Sequence, residues 1–495
     1  MTVFIKNSTF CKSSHKLIVT EKPSVAQAIG KALGITKRRD GYLEGGEYLV
    51  SWCVGHLVEL APPGSYDPKL VKWSKADLPI LPKVWQYLVS PGTQKQFDVL
   101  RSLMARPDVD QLICATDAGR EGELIFRLVY HQCGCTKPFT RLWISSMEDA
   151  AIREGFAHLK PSTEYDALYK AALCRERADW LVGINATRLF SCLYGQPLNV
   201  GRVMTPTLAM TVSREAAIDA FRPEPFYTVL LKMEDCMASS ERFKDKPQAE
   251  ALLAECRKAS QAVLQKTEQK EKTEHPPALY DLTSLQRDAN RLLGYSAQQT
   301  LDYTQALYEK KLVTYPRTDS RYLTEDMEPG MPDLVRQTAT HLGVAGEIPI
   351  HAKQVINNKK VSDHHAILPT RSMANADLSS LPAGEANVLR LIAARLLAAV
   401  GEPYRYAETR VQMECAGQVF TAKGKTVLTE GWKAVERAVL GDTAEKDKEK
   451  LEILPELQSQ ETLPVLDAQL KEGKTASYKH FTEDVCCERR IRNHR

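Results

Sequence analysis

Residues Leu112 to Phe126 read LICATDAGREGELIF. The apolar run Leu112-Ile113-Cys114-Ala115 ends at Thr116 and Asp117. Gly119 and Gly122 follow, with Glu121 and Glu123 among them, before an apolar helical pattern begins. A buried strand that ends in a carboxylate, turns and opens a helix forms one β–α unit. Its acids admit two readings. Hard carboxylate oxygens suit Mg²⁺, which keeps several waters and needs few protein ligands. Acids at a helix N-terminus are also ordinary, because they meet the positive end of the helix dipole.

Working outward, the same alternation recurs. Lys16 to Ile35, KLIVTEKPSVAQAIGKALGI, reads as strand, loop and helix, with Glu21 just past the strand and Val25, Ala28, Ile29 and Leu33 at helical spacing. Ser24 is a candidate N-cap. EYLVSWCVGHLVEL (47–60) adds a strand and turn, and TRLWISS (140–146) a strand before the helix MEDAAIREGFAHL (147–159). This predicts a mainly parallel α/β domain to about residue 158. Ligand groups in such sheets gather at the carboxyl ends of strands, so Glu21, Asp117 and Glu121 are expected to converge.

Beyond it the pattern changes. YKAALCRERADWLVGINATRLFSCLYG (169–195) is helical and basic, and FYTVLLKMED (226–235) begins a strand-rich region. QKTEQKEKTEHPP (265–277) reads as a charged linker. Residues 278–312 and 385–400 are helical in pattern, and 407–428 return to strand alternation. The chain of 495 residues is expected to hold roughly three or four domains of about 150 residues each. The net charge of +4 announces no gross polycation, so charge placement matters more than its sum. The 12 cysteines include no Cys-x-x-Cys pair, which gives a zinc ribbon no support. No stretch has spanning length, and no membrane or leader segment is expected; a reducing cytoplasm is the expected home.

Several single residues carry possible chemistry. Tyr315 sits in LVTYPRTDS (312–320) beside Arg317, a bidentate clamp for phosphate. A tyrosine of ordinary pKa near 10 is a weak nucleophile until an electrophilic phosphate is held against it; alone, the residue reads as well as a packed strand-end tyrosine. His364 stands in SDHHAILPT (362–370), Arg202 beside Gly201 in LNVGRVMTP, and Arg175 and Arg188 on one helix with Trp180. Arg175 and Asp179 are spaced to pair with each other. Trp73 offers a stacking surface for a base. The triplets Gly-Lys-Thr at 424–426 and 473–475 lack the leading glycine of a phosphate loop, with Val419 and Ala468 in its place, so no ATP-driven motor is indicated.

In combination these segments resemble type IA DNA topoisomerases, the bacterial topoisomerase III branch in particular. The resemblance rests on IVTEKPSVAQAI, WCVGHLVEL, ATDAGREGELIF, RADWLVGINATR, NVGRVMTPTLAM, LVTYPRTDSRYL and DHHAILPT, in that order along the chain. It implies a multidomain α/β, α and β protein of toroidal architecture. The expected division is an extension (1–15), a Toprim-type metal-binding domain (16–158), the first part of a helical DNA-binding base domain (159–220), a strand-rich arch (221–272 and 405–465), a helical domain carrying the tyrosine (273–404) and a shortened remainder of the base (466–495).

The resemblance also implies roles. Tyr315 would form a 5′-phosphotyrosine link, with Glu21 as acid and base, Lys22 neutralising the phosphate, Arg317 holding it and His364 supporting those contacts. Mg²⁺ would sit near Glu21, Asp117 and Glu121. Trp73, Arg141, Arg175, Asn185, Arg188, Arg317 and the loop Asn199, Val200, Gly201, Arg202, Val203 and Met204 would line the strand's path. The substrate would be single-stranded or negatively supercoiled DNA, relaxed or decatenated without ATP or membrane, with a helicase as the expected protein partner. Three departures stand out: Gly119 replaces the middle acid common in the family, an unusual extension precedes Lys16, and VCCERRIRNHR (485–495) ends the chain where relatives continue. A short form predicts exposed apolar faces on the base domain. The alternatives are a non-catalytic single-strand binder and another Toprim enzyme, a nuclease or primase.

Overall fold

Adjacent parallel strands place their carboxyl ends side by side, and this topology organises the site. The computed structural model describes residues 14–234, 236–344, 346, 349–361, 364–441 and 461–485. The extension before residue 14 and the closing segment from residue 486 lie outside the described residues. The chain folds as two units. The first comprises residues 1–208, 304–318 and 362–365, and the second the remainder.

The first unit is built on a seven-stranded sheet in the order β2-β3-β4-β1-β7-β8-β9. Its strands are β1 (His15–Thr20), β2 (Lys37–Arg39), β3 (Tyr42–Gly45), β4 (Tyr48–Trp52), β7 (Val109–Ala115), β8 (Phe139–Arg141) and β9 (Lys160–Pro161). The central strands β4, β1, β7 and β8 run parallel, and antiparallel pairs finish both edges. Leu17, Ile18, Val19, Leu112, Ile113 and Cys114 have no exposed surface, as expected of strands covered on both faces. Helix α1 (Pro23–Leu33) packs with α5 (Asp149–Ala157), and α3 (Gln94–Ala105) lies on β4 and β7. β5 (Val58–Leu60) and β6 (Tyr87–Val89) form a separate antiparallel pair flanking the short α2 (Pro63–Tyr66).

Helix α4 (Arg120–Gln132) follows β7 and packs on α6 (Asp166–Tyr194). α6 leaves Val182, Leu189, Phe190, Leu193 and Tyr194 exposed, and no residue of α7 (Met204–Ala220) is buried. Two details differ from expectation. Helix α1 starts at Pro23 with Lys22 as its cap, not at Ser24, because proline is preset for the first helical turn. Strand β7 stops at Ala115, so Thr116 and Asp117 belong to the loop.

The second unit contains an antiparallel sheet in the order β15-β12-β13-β14-β11-β10-β16. It uses β10 (Pro225–Lys232), β11 (Met237–Ser239), β12 (Gln261–Glu274), β13 (Tyr404–Cys415), β14 (Gln418–Thr429), β15 (Thr462–Pro464) and β16 (Asp467–Lys474). α8 (Lys246–Ala259) covers β10 and β16 over a core that includes Val229, Leu231, Met413 and Phe420. A second core gathers α9 (Leu282–Leu293), α11 (Met331–His341), α12 (Ala383–Ala399) and α13 (Trp432–Leu440), while α10 (Ala297–Glu309) leads back into the first unit. α12 is buried over most of its surface, matching its largely apolar composition, with Arg390 at the exposed side.

The charged linker expected at 265–277 is corrected. Through Glu274 this stretch is strand, paired with β13 from Lys266↔Gln412 to Glu274↔Tyr404. Both of its faces are polar, so side-chain alternation gives no signal. Backbone pairing with an apolar-patterned neighbour carries the strand instead.

Candidate active site

Thr20, the last residue of β1, pairs with Ala115, the last of β7. Glu21 and the Thr116–Asp117 loop therefore leave the same edge of the sheet on neighbouring strands. The expected convergence of Glu21 and Asp117 is found. Glu21 is buried and its carboxyl is pushed up to about 7, first by burial and next by the charge of Asp117. Burial also raises Asp117, opposed by the charges of Lys22, Arg317 and Arg141.

The loop between them is held from beneath. Arg141, at the end of β8, has no exposed surface. Its Nη1 donates to the carbonyls of Cys114 (3.0 Å) and Thr116 (2.7 Å), and its Nη2 to that of Asp117 (2.6 Å). Glu123, equally buried, faces Arg141 Nε at 3.1 Å and accepts from Arg127 Nε at 2.7 Å. Arg141, expected to line the strand path, lies buried beneath the Asp117 loop and holds its backbone. Glu123 neutralises both Arg127 and Arg141.

The glycine that the loop requires is Gly122. A Cβ there would meet the Asp117 carbonyl oxygen at 2.1 Å. Gly119 is different. Its backbone is extended, and a Cβ there would meet nothing within 4 Å.

Tyr315 reaches this edge on the segment that follows α10. Its N–H donates to the Ser145 carbonyl at 3.0 Å, and its hydroxyl donates to Asp117 Oδ2 at 3.5 Å. Burial, then the charge of Asp117, raises its pKa, so it rests as a neutral phenol. The His364 ring lies 4.4 Å from the Tyr315 ring, and Trp143 stacks on His364. His364 Nδ1 is 2.8 Å from Ser145 Oγ, and Nε2 contacts the Ala118 carbonyl. A carbonyl only accepts, so Nε2 carries a proton. His364, expected to support the phosphate contacts, has both ring nitrogens engaged and packs against the Tyr315 ring with 3% exposure.

The cations stand around this centre. Lys22 Nζ is 3.0 Å from Glu309 Oε1, which also accepts from Gln305 Nε2 at 3.1 Å. Arg317 is exposed, and its charge opposes the raised pKa of Glu21, Asp117 and Tyr315.

The expected three-carboxylate metal set is brought together only in part. Glu121 is half-exposed and turned to His56 Nε2 at 2.9 Å, which holds its carboxyl below the usual range. Among the described residues no group of three or more His, Cys, Asp or Glu side chains has a metal-holding arrangement. The donor chemistry of Glu21 and Asp117 fits a water-rich divalent cation. They are hard oxygen ligands whose mutual repulsion such a cation would relieve.

The expected strand contacts fall into two groups. Arg188 is buried, donates to the Leu70 carbonyl at 2.7 Å and lies 5.4 Å from the Trp73 ring, which is half-exposed. Asn185 accepts from Ile80 N at 2.6 Å and donates to its carbonyl at 3.1 Å. These two, expected along the strand path, hold the 70–80 segment on α6. Arg202 pairs with Asp179 at 2.7 Å, and Arg175 lies 4.0 Å from the same carboxylate. Thr187 Oγ1 accepts from Val200 N at 2.9 Å, and Thr205 Oγ1 from Gly201 N at 3.0 Å, which presents Asn199, Arg202, Val203 and Met204 at the surface.

Sequence reasoning missed Ser145, His56, Gln305 and Glu309. Their signal lay inside segments already singled out, WISS, VGHL and the helix before Tyr315, but nothing local marked them. The Gly-Lys-Thr triplet at 424–426 lies in β14, and that at 473–475 closes β16 at Lys474, so both belong to paired strands and not to phosphate-binding loops.

The Toprim domain profile matches residues 16–147, and the DNA topoisomerase profile matches residues 163–486. The DNA topoisomerase 3 of Bacillus subtilis (strain 168) is 42% identical over 485 residues, covering 95% of this chain and 66% of that protein. The DNA topoisomerase 3 of Bacillus cereus (strain ZK / E33L) is 40% identical over the same coverage. The chain thus spans 66% of the length of these curated relatives. The structure of full-length topoisomerase I from Thermotoga maritima superposes with a TM-score of 0.74 at 21% identity, covering 96% of this chain and 75% of that one.

Proposed function

This chain belongs to the type IA DNA topoisomerase family, and we propose that it cuts and reseals single strands of DNA through Tyr315, without ATP. One observation carries the reading. The Tyr315 hydroxyl is buried against Asp117 with Glu21 on the adjacent strand, an arrangement suited to moving protons at a phosphodiester. The tyrosine oxygen attacks phosphorus and gives up its proton to the Asp117 carboxylate. The bond from phosphorus to the 3′-oxygen breaks, and protonated Glu21 supplies the proton for that oxygen. The 5′-phosphate stays on Tyr315, so bond energy is conserved and resealing is the same transfer in reverse.

The chain's own cations position the phosphate. Arg317 clamps its oxygens and Lys22, released from Glu309, neutralises charge as the transition state forms. His364 and Ser145 keep the tyrosine in place. A Mg²⁺ held by Glu21 and Asp117 in their ionised forms would compete with the proton on Glu21 and, when bound, would add positive charge beside the phosphate. The same reading has a nucleoid or plasmid as the setting in a bacterial cytoplasm, with relaxation of negatively supercoiled DNA or decatenation as the outcome. Among the described residues no helix is long and apolar enough to cross a membrane.

Denaturant trapping on an end-labelled single strand tests the proposal. A 3′-end label should stay on the protein, a 5′-end label should leave with a free 3′-hydroxyl, and Tyr315→Phe should bind the strand without an adduct. Free nicks with no adduct would favour a nuclease, and binding with no cleavage under any metal condition a non-catalytic binder.

A further inference from the structure

The sheet of the second unit presents a charged face that the reaction at Tyr315 does not use. The register places Lys266, Glu268, Lys270 and Lys272 of β12 opposite Gln412, Arg410, Glu408 and Tyr406 of β13. It places these in turn opposite Thr421, Lys423, Lys425 and Val427 of β14. Directly paired residues share a face, as do residues two apart on one strand, so all twelve point the same way. The opposite face carries Ala407, Val411 and Ala422, which are buried, so this one is turned to solvent.

Four rows thus hold six cations and two acids, a balance of +4. The formal net charge of the whole chain is also +4, so the other residues balance to zero and this face carries the excess. Glu414 bounds the run at one end; at the other, Glu274 is paired with Lys433. The two acids inside the run are engaged as well, Glu268 with Lys266 and Lys270, and Glu408 with Lys272. Arg410, Lys423 and Lys425 form no ion pair with any described residue within 4.0 Å. Arg410 and Lys423 stand directly opposite each other, and like charges in that position destabilise a sheet. A polyanion laid across the rows would relieve that repulsion.

The aromatic rings in the patch are covered. Lys425 Nζ lies 4.0 Å from the Tyr406 ring centre and 4.8 Å from that of Tyr404, and Lys433 Nζ lies 3.7 Å from the latter. The face therefore offers cations and no open platform for unpaired bases. Duplex DNA has the complementary surface, with its bases turned inward and its phosphates outside.

We propose that this face of β12, β13 and β14 receives the phosphate backbone of a duplex DNA segment, other than the strand cut at Tyr315. The inference rests on the reading of the chain as a topoisomerase, but its test measures binding and needs no cleavage.

The test titrates the full chain with a short duplex and with an unpaired strand over a series of salt concentrations. In Arg410→Gln/Lys423→Gln, the slope of log affinity against log salt for the duplex should fall by about 2, because each lost phosphate contact removes about 0.9. The adduct formed on a single strand should be unchanged. The melting temperature should change little, since the change removes the Arg410–Lys423 repulsion together with the attraction of Arg410 to Glu268 and of Lys423 to Glu408. The charge-retaining pair Arg410→Lys/Lys423→Arg should keep the original slope. An unchanged duplex slope, a parallel loss of single-strand adduct, or loss of slope in the charge-retaining pair would overturn the proposal. A Tyr315→Phe chain that keeps the duplex slope but forms no adduct separates this surface from the catalytic reading.

Discussion

Glu21 is the residue on which proton transfer turns. Burial and Asp117 push its carboxyl up to about 7. Its neutral form, the one that can act as acid, is full well below that pH and declines as pH rises through it. Single-turnover adduct formation in chelator should therefore fall several-fold between about pH 6 and 8. Glu21→Gln should lower the rate and remove that slope. The sign for stability follows from the raised value. The contribution is fully present below the unfolded carboxyl value and is lost as pH rises through about 7. The melting temperature should decline over that window in the parent protein and less in Glu21→Gln. A pH-independent adduct rate would contradict the assignment of Glu21.

The two loop glycines make a second prediction at this scale. Gly119→Asp adds a carboxylate in open space with ordinary backbone geometry, so it should fold normally and tighten Mg²⁺ binding in calorimetry by several-fold. Gly122→Ala drives a methyl group into the Asp117 carbonyl, and adduct formation should fall by at least tenfold. The sequence marked Gly119 because an acid was expected there. It left Gly122 unremarked because a close backbone approach leaves no trace in composition.

At the scale of elements, Arg141 ties β8 to the loop after β7 through three carbonyls, and Glu123 on α4 neutralises it. Arg141→Met would leave those carbonyls and one side of Glu123 without a donor. A loss on the order of 3 kcal/mol is expected on thermal or denaturant unfolding, because breaking one partner out of a buried pair is costly. A near-neutral melt would contradict the role. Arg141 looked like a strand contact because buried and surface arginines are the same letter in a sequence. The strand β12 hid for a related reason: a stretch charged on both faces has no apolar alternation. By contrast, β1 and β7 were legible because strands buried on both faces are unbroken apolar runs, and that alone placed Glu21 beside Asp117. His56 capping Glu121, and Ser145 holding both Tyr315 and His364, depend on contacts across long sequence separations that no local pattern encodes.

For the whole molecule, one chain must bring Tyr315 to a carboxylate edge whose Asp117 lies 198 positions earlier in sequence and whose Glu21 lies earlier still. The fold does so by threading the segment after α10 back into the first unit. The central claim is that the phosphate is carried by this tyrosine oxygen. The direct measurement is mass spectrometry of the trapped complex after digestion with nuclease and trypsin. The nucleotide mass should appear on the peptide Leu312–Arg317, on Tyr315, and vanish in Tyr315→Phe with strand binding retained. A nucleotide found on any other residue, or strand cleavage in Tyr315→Phe, would contradict the account.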